Sequence, residues 1–155
     1  MKVKDILRSP AITIGQESTL REAVELLSKS GVSGLPVVNA EGQLVGIVTE
    51  HDIIKALLPT YEDILTAGVV LLDAGLMEDR VYKVRDNPVS SIMSTNVVTL
   101  AEEDTILKAA STVILKKIKR LPIVRDRKPV GIVSRIDIVQ AVMQGRTLEA
   151  RDARR

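Results

Sequence analysis

The sequence predicts an α/β (α+β) protein made of two pseudo-symmetric copies of one β-α-β-β-α unit, with a connecting helix between them. Two observations carry that expectation. A set of blocks beginning at Val3 recurs about 86 residues later, which marks an internal duplication. Within each copy the apolar pattern changes from extended to helical and back in the same order.

Sliding residues 3–44 by 86 positions sets Val3-x-x-Ile6 on Val89-x-x-Ile92 and Ile12-Thr13-Ile14 on Val98-Thr99-Leu100. Thr19-Leu20-x-x-Ala23 then meets Thr105-Ile106-x-x-Ala109, and Leu35-Pro36-Val37-Val38 meets Leu121-Pro122-Ile123-Val124. At an offset of 85, Val45-Gly46-Ile47-Val48-Thr49-x-x-Asp52-Ile53 falls on Val130-Gly131-Ile132-Val133-Ser134-x-x-Asp137-Ile138. Chance does not hold register across five separate blocks. Repeat one is placed at 1–58 and repeat two at 88–145, leaving 59–87 as a connecting helix and linker and 146–155 as a basic tail.

Each repeat opens with a short extended piece ending at Thr13 or Thr99. Thr19 and Glu22 have the spacing of a capping box, in which each side chain satisfies an orphan amide at the helix start. Leu20, Ala23, Val24 and Leu27 follow at helical spacing as a buried stripe, and Gly31 supplies the stop. Two strand-like runs, 35–38 and 44–48, flank the turn residues Asn39 to Gly42; in repeat two the turn is Arg125 to Pro129. A second helix is expected from about Asp52 to Leu58, before Pro59, and from Asp137 to Met143, stopping near Gly145. Between the repeats, Thr60-x-x-Asp63 caps a helix bearing Ile64, Leu65, Val69 and Leu72 on one face. That face suits either a packed connector or a dimerisation or partner helix.

Composition narrows the chemistry. With 45% hydrophobic residues, 27% charged residues and a net charge of +2, the chain is an ordinary globular one, long enough to bury a core unaided. It has no Cys and one His, His51, so thiolate zinc sites, Cys nucleophiles and multi-His metal centres lack material. Aromatic content is 1%, Tyr61 and Tyr82, which disfavours base-stacking platforms for single-stranded nucleic acid. The first residues reach Asp5 and Arg8 before any apolar run develops, so the expectation is a cytoplasmic protein without a targeting or membrane segment. Charge is uneven: residues 1–115 carry 10 Lys and Arg against 16 Asp and Glu, while 116–155 carry 12 against 4. An anion is drawn to the second half.

Thr49-x-x-Asp52 and Ser134-x-x-Asp137 are the informative motifs, a hydroxyl after a buried strand and an Asp three residues on, at a helix start. Each is a capping box in its own right. A helix N-terminus with a hydroxyl and little bulk is also a seat for phosphate, and a carboxylate, an acceptor only, suits the vicinal hydroxyls of a ribose.

These duplicated Leu-Pro-Val-Val and Gly-Ile-Val-[Thr/Ser]-x-x-Asp blocks resemble the tandem cystathionine-β-synthase (CBS) domain pair, or Bateman module. The resemblance covers everything but the central connection and the tail. It implies a regulatory module that binds an adenosine-containing ligand (AMP, ADP, ATP or S-adenosylmethionine) in clefts between the repeats, signals to a partner protein and forms a disc-shaped homodimer. Position by position, it implies that Thr49 and Ser134 contact phosphate and that Asp52 and Asp137 accept the ribose. Ile12, Thr13, Val98 and Thr99 match the strand beside the adenine, with Pro36 and Pro122 as aliphatic flanks; Ser33, Gly34, Lys119 and Arg120 match positions near the phosphates. His51 and its counterpart Ile136 lie inside the motif; His51 fits a surface or capping position as well as a ligand contact. Because repeat two has Lys119 and Arg120 where repeat one has Ser33 and Gly34, the two sites are expected to differ. No cofactor is required, no catalytic or metal-binding residue is assigned, and no enzymatic activity is expected. The alternatives are a constitutive dimerisation scaffold with vestigial clefts and, less supported, nucleic-acid binding through the basic half.

Overall fold

In a computed structural model of the chain, the described residues are 1–62, 65 and 75–152, with side chains as far as Gly145. They form a mixed α/β fold with two three-stranded sheets. The first half supplies β1 (Ile14–Gly15), α1 (Leu20–Ser30), β2 (Gly34–Val38), β3 (Leu44–Thr49) and α2 (Glu50–Leu57). After α3 (Gly75–Val84) the second half repeats the order with β4 (Leu100–Ala101), α4 (Ile106–Leu115), β5 (Arg120–Arg125), β6 (Lys128–Ser134) and α5 (Arg135–Asp152). Strand orders are β1-β2-β3 and β4-β5-β6. β1 runs parallel to β2 with Ile14 opposite Val37, and β4 parallel to β5 with Leu100 opposite Ile123. β5 and β6 are antiparallel, Arg120 opposite Ser134.

Local chemistry explains the boundaries. Thr19 Oγ1 accepts the Glu22 amide at 3.2 Å while a Glu22 carboxylate oxygen accepts the Thr19 amide at 2.7 Å, so α1 starts where its capping box lies. It ends at Gly31, whose φ of +68° is the left-handed conformation that closes a helix. Repeat two places Lys117 at the equivalent position with φ +53°, where a side chain is strained. The β5–β6 turn sets Asp126 and Arg127 at φ +50° and +66°, the double positive φ that a tight hairpin needs. On α1, Leu20, Ala23 and Leu27 are buried as expected, but Val24 is 48% exposed. The apolar stripe is narrower than the spacing implied because Val24 faces a groove of about 450 Å³ among α1, α2 and α3.

Two compact units emerge, and they do not coincide with the sequence repeats. One gathers residues 1–12, 42–44 and 98–155; the other gathers 13–41 and 45–97. Each therefore contains the opening segment of the other half of the chain. In the first unit Val3, fully buried, joins a core of Leu100, Ile106, Ala109, Val113, Leu121, Ile123, Val133 and Ile138. Lys2 and Lys4 pair with Glu103 there at 2.5 and 2.7 Å, and these lysines hold the Glu103 carboxyl down at about 2. In the second unit Val89, also fully buried, joins Ile14, Ala23, Leu27, Leu35, Val37, Val48 and Ile53. Neither core contains an aromatic ring, so packing rests on aliphatic side chains and Met93.

The same crossing segments explain the glycine of each Gly-Ile-Val block. Leu7 and Arg8 run across Gly131, where an added Cβ would meet the Arg8 carbonyl oxygen at 2.5 Å. Met93 and Ser94 run across Gly46, where a Cβ would meet Met93 Sδ at 2.5 Å. Only glycine lets the backbones approach that closely.

Two further expectations change. α5 does not stop near Gly145 but continues to Asp152, since a helical glycine weakens a helix without ending it. α3 was not foreseen: its charged Glu78, Asp79 and Arg80 read as linker, yet Arg80 Nε donates to the Ala56 carbonyl at 3.1 Å and ties it to the C-terminal end of α2. Most of the predicted helix after Thr60, including Asp63, Ile64, Val69 and Leu72, lies outside the described residues; Tyr61 and Leu65 are exposed.

Candidate functional site: two hydroxyl–aspartate turns

In each unit a partly buried strand delivers a hydroxyl residue to the start of a helix. β3 ends at Thr49, which caps α2, and Asp52 Oδ2 accepts both the Thr49 amide and its hydroxyl at 2.8 Å. β6 ends at Ser134 before α5, and Asp137 Oδ2 accepts the Ser134 amide at 2.8 Å and its hydroxyl at 2.5 Å. The capping box is complete in repeat one, where the Asp52 amide donates to Thr49 Oγ1 at 3.3 Å, whereas repeat two shows the half in which the aspartate accepts the amide before the helix. These bonds also fix where the carboxylates point, since one oxygen of each is committed to the turn.

The first amide of each helix is taken as well. Glu50 N–H donates to the Ser33 carbonyl at 3.1 Å and Arg135 N–H to the Lys119 carbonyl at 3.4 Å. Among the described residues the next amides, those of His51 and Ile136, have no partner. Ser33 and Lys119 thus lie, through their backbone carbonyls, beside the first turns of α2 and α5. Gly34 packs against Thr49, where a Cβ would lie 3.2 Å from the methyl group. Arg120, the first residue of β5, is directly opposite Ser134 across the sheet, so repeat two pairs a basic residue with its hydroxyl position. Thr13 and Thr99 immediately precede β1 and β4; Ile12 is 38% exposed and Val98 is partly buried against the core. His51 is exposed and Ile136 is 52% exposed on the opening turns of their helices. Pro36 and Pro122 depart from expectation: both are fully buried within β2 and β5 and offer no accessible face to a ligand.

The two aspartates differ electrostatically. Asp137 is 7% exposed, and its Oδ1 receives Arg8 Nε at 2.8 Å and Nη2 at 2.6 Å. Burial pushes its carboxyl up, but the Ser134 hydroxyl and amide and the Arg8 guanidinium outweigh that and hold it below the usual carboxylate range. Asp52 is partly exposed and has no ion pair among the described residues. Arg8 escaped sequence reading because it lies in the opening segment of repeat one while its partner lies in repeat two. The signal was present in the register, since the position matching Arg8 is Ser94.

Among the described residues no three His, Asp or Glu side chains are grouped to hold a metal ion, and no helix is long and apolar enough to cross a membrane.

Comparison with known proteins gives this geometry a context. The family model described as the CBS domain matches twice, at residues 3–59 and 89–144. A Methanocaldococcus jannaschii protein designated MJ1426 is 33% identical, the alignment covering 92% of each chain. The solved CBS domain pair of protein MJ0100, crystallised with 5′-methylthioadenosine and S-adenosyl-L-methionine, is 29% identical, with a TM-score of 0.70 over 94% of this chain and 98% of that one. An enzyme relative, the A-adding tRNA nucleotidyltransferase of Aquifex aeolicus, is 27% identical, but the match spans only 15% of its length. With two matches covering both repeats, and relatives of its own length, the chain belongs to the CBS domain family.

Proposed function

We propose that the protein is a regulatory CBS pair in which the Thr49–Asp52 and Ser134–Asp137 turns bind an adenosine-containing ligand, AMP, ADP, ATP or S-adenosylmethionine, and pass its occupancy to a partner protein. The observation that carries this is the duplication of one turn, hydroxyl, unpartnered helix amide and oriented carboxylate, in both units. The carboxylate takes ribose hydroxyls, while the helix-start amide and hydroxyl take phosphate or carboxylate oxygens. The relative crystallised with 5′-methylthioadenosine and S-adenosylmethionine supports the adenosine class. With Pro36 and Pro122 buried and only two aromatic residues in the chain, the adenine rests on Ile12 and Val98 and on strand backbone. Discrimination then falls to the ribose and its substituent.

A homodimer belongs to the same reading. α1, α2 and α3 expose Val24, Ile54 and Val81, and α4 and α5 expose Leu107, Ile114, Val139 and Met143, more apolar helix surface than an isolated chain needs. These faces also favour the second reading, a constitutive self-associating scaffold. Calorimetry with AMP, ATP and S-adenosylmethionine separates the two: binding at submillimolar ligand supports the sensor, and no heat from any of the three leaves the scaffold.

A further inference from the structure

The two turns share a backbone framework but not a charge. In repeat two the opening segment bridges β6 through Arg8 N–H to the Ile132 carbonyl at 3.2 Å and Ile132 N–H to the Arg8 carbonyl at 3.1 Å. In repeat one the equivalent bridge joins Ser94 and Ile47, both bonds 2.9 Å. The same crossing strand therefore carries a guanidinium in one unit and a small hydroxyl in the other.

The consequence for the carboxylates is direct. At Asp137 both oxygens are engaged, Oδ2 by Ser134 and Oδ1 by two Arg8 nitrogens. At Asp52 the turn engages Oδ2, and Oδ1 has no partner among the described residues. A ribose arriving at Asp52 finds an acceptor ready. A ribose arriving at Asp137 has to displace a charge-assisted pair that holds a nearly buried carboxylate. Displacement leaves the guanidinium, whose side chain is 69% exposed and free to turn on a flexible stem, without a counter-ion. An anionic group on the ligand supplies one; an uncharged ligand does not.

We propose that Arg8 is a latch and specificity-determining residue for the Asp137 site, admitting phosphate-bearing adenosine ligands and disfavouring uncharged ones, while the Asp52 site lacks this filter. The proposal rests on the reading of Asp137 as a ribose acceptor. It makes the AMP-to-adenosine preference of the two sites differ for a reason independent of Lys119 and Arg120. Arg8 stays anchored by its backbone bridge, so only its side chain has to move.

The test uses the full-length chain and titration calorimetry with adenosine and with AMP as probes. Arg8→Ser, which copies Ser94, should raise adenosine affinity at one site by roughly tenfold and lower AMP affinity there, collapsing the preference for AMP. Ser94→Arg should do the reverse at the other site, weakening adenosine by a similar factor; Ser94 is exposed, so the substitution has room. Melting curves of both variants confirm that each is folded, and Asp137→Ala is run beside them. If Asp137→Ala removes one site but neither exchange alters the AMP-to-adenosine ratio, the latch is wrong and the ribose reading stands. If Asp137→Ala leaves the number of sites unchanged, the ribose reading falls and takes the latch with it.

Discussion

Asp137 shows how one residue serves a fold and a site together. Its carboxylate closes the start of α5 through Ser134 and pairs with Arg8, and in the function proposed above it is also the ribose acceptor. Because its folded pKa lies below the unfolded value, the ionised group stabilises the protein above the ordinary carboxylate range, and that contribution is lost as pH falls through the folded pKa. Thermal melts from about pH 7 down to about pH 3 should therefore show Asp137→Asn losing stability at neutral pH and flattening the acid limb. Water screens the exposed Arg8 end, so removing Arg8 alone should cost less, on the order of 1 kcal/mol. Lys117 offers a change of opposite sign. Its left-handed backbone costs about 1–2 kcal/mol, against about 0.4–1 lost to the freer unfolded chain on placing glycine there. Lys117→Gly should raise stability by about 0.5–1 kcal/mol in chemical denaturation, and a lower midpoint would contradict the strain. The turns and the two aspartates that close them were legible in the sequence because their partners are three residues away. Arg8 was not, since its partner is more than a hundred positions distant and a single sequence does not reveal who meets whom.

At the scale of elements, the opening segments are the surprise. Val3 and Val89 look like the first apolar residues of their own repeats, yet each completes the core of the unit holding the other repeat's strands. Val3→Ala should destabilise the chain by about 2 kcal/mol through lost burial and a residual cavity. Gly131→Ala forces a methyl group against Leu7 and the Arg8 carbonyl, an overpacking that should cost about 1–3 kcal/mol. Urea titration reads both, and a neutral Gly131→Ala would mean that the crossing segment is not held there. Strand and helix identities followed from period and capping, which are local. The exchange of segments is long-range, and nothing in residues 1–12 states which sheet they will cross. α3 was missed for a related reason: Glu78, Asp79 and Arg80 read as linker to repeat two, and the hold of Arg80 on Ala56 depends on a tertiary contact. α5 outran Gly145 because a glycine stops a helix only where the backbone turns left-handed.

For the whole molecule, the exchange predicts which pieces fold. A fragment of residues 13–97 contains all of one compact unit, whereas 1–58 lacks Val89 from its core and carries Val3 without its partners. Circular dichroism melts should show a cooperative transition for 13–97 and a weak or absent one for 1–58; equal transitions would contradict the exchange. Both units carry a hydroxyl–aspartate turn, so the proposed ligand site, like the fold, is duplicated. A ligand taken up by the folded chain alone stabilises it by mass action, about 2.7 kcal/mol at a hundredfold excess over Kd. The most direct measurement is calorimetric titration of AMP into the wild-type chain and into the Asp52→Ala/Asp137→Ala double variant, with the Asn replacements beside it to separate capping from ligand contact. If the two aspartates hold the ribose, the wild type binds and the Ala double variant, still folded, binds at least tenfold more weakly, each lost charged hydrogen bond being worth about 1.5–3 kcal/mol. Equal affinity in wild type and double variant would place the ligand elsewhere and overturn the site.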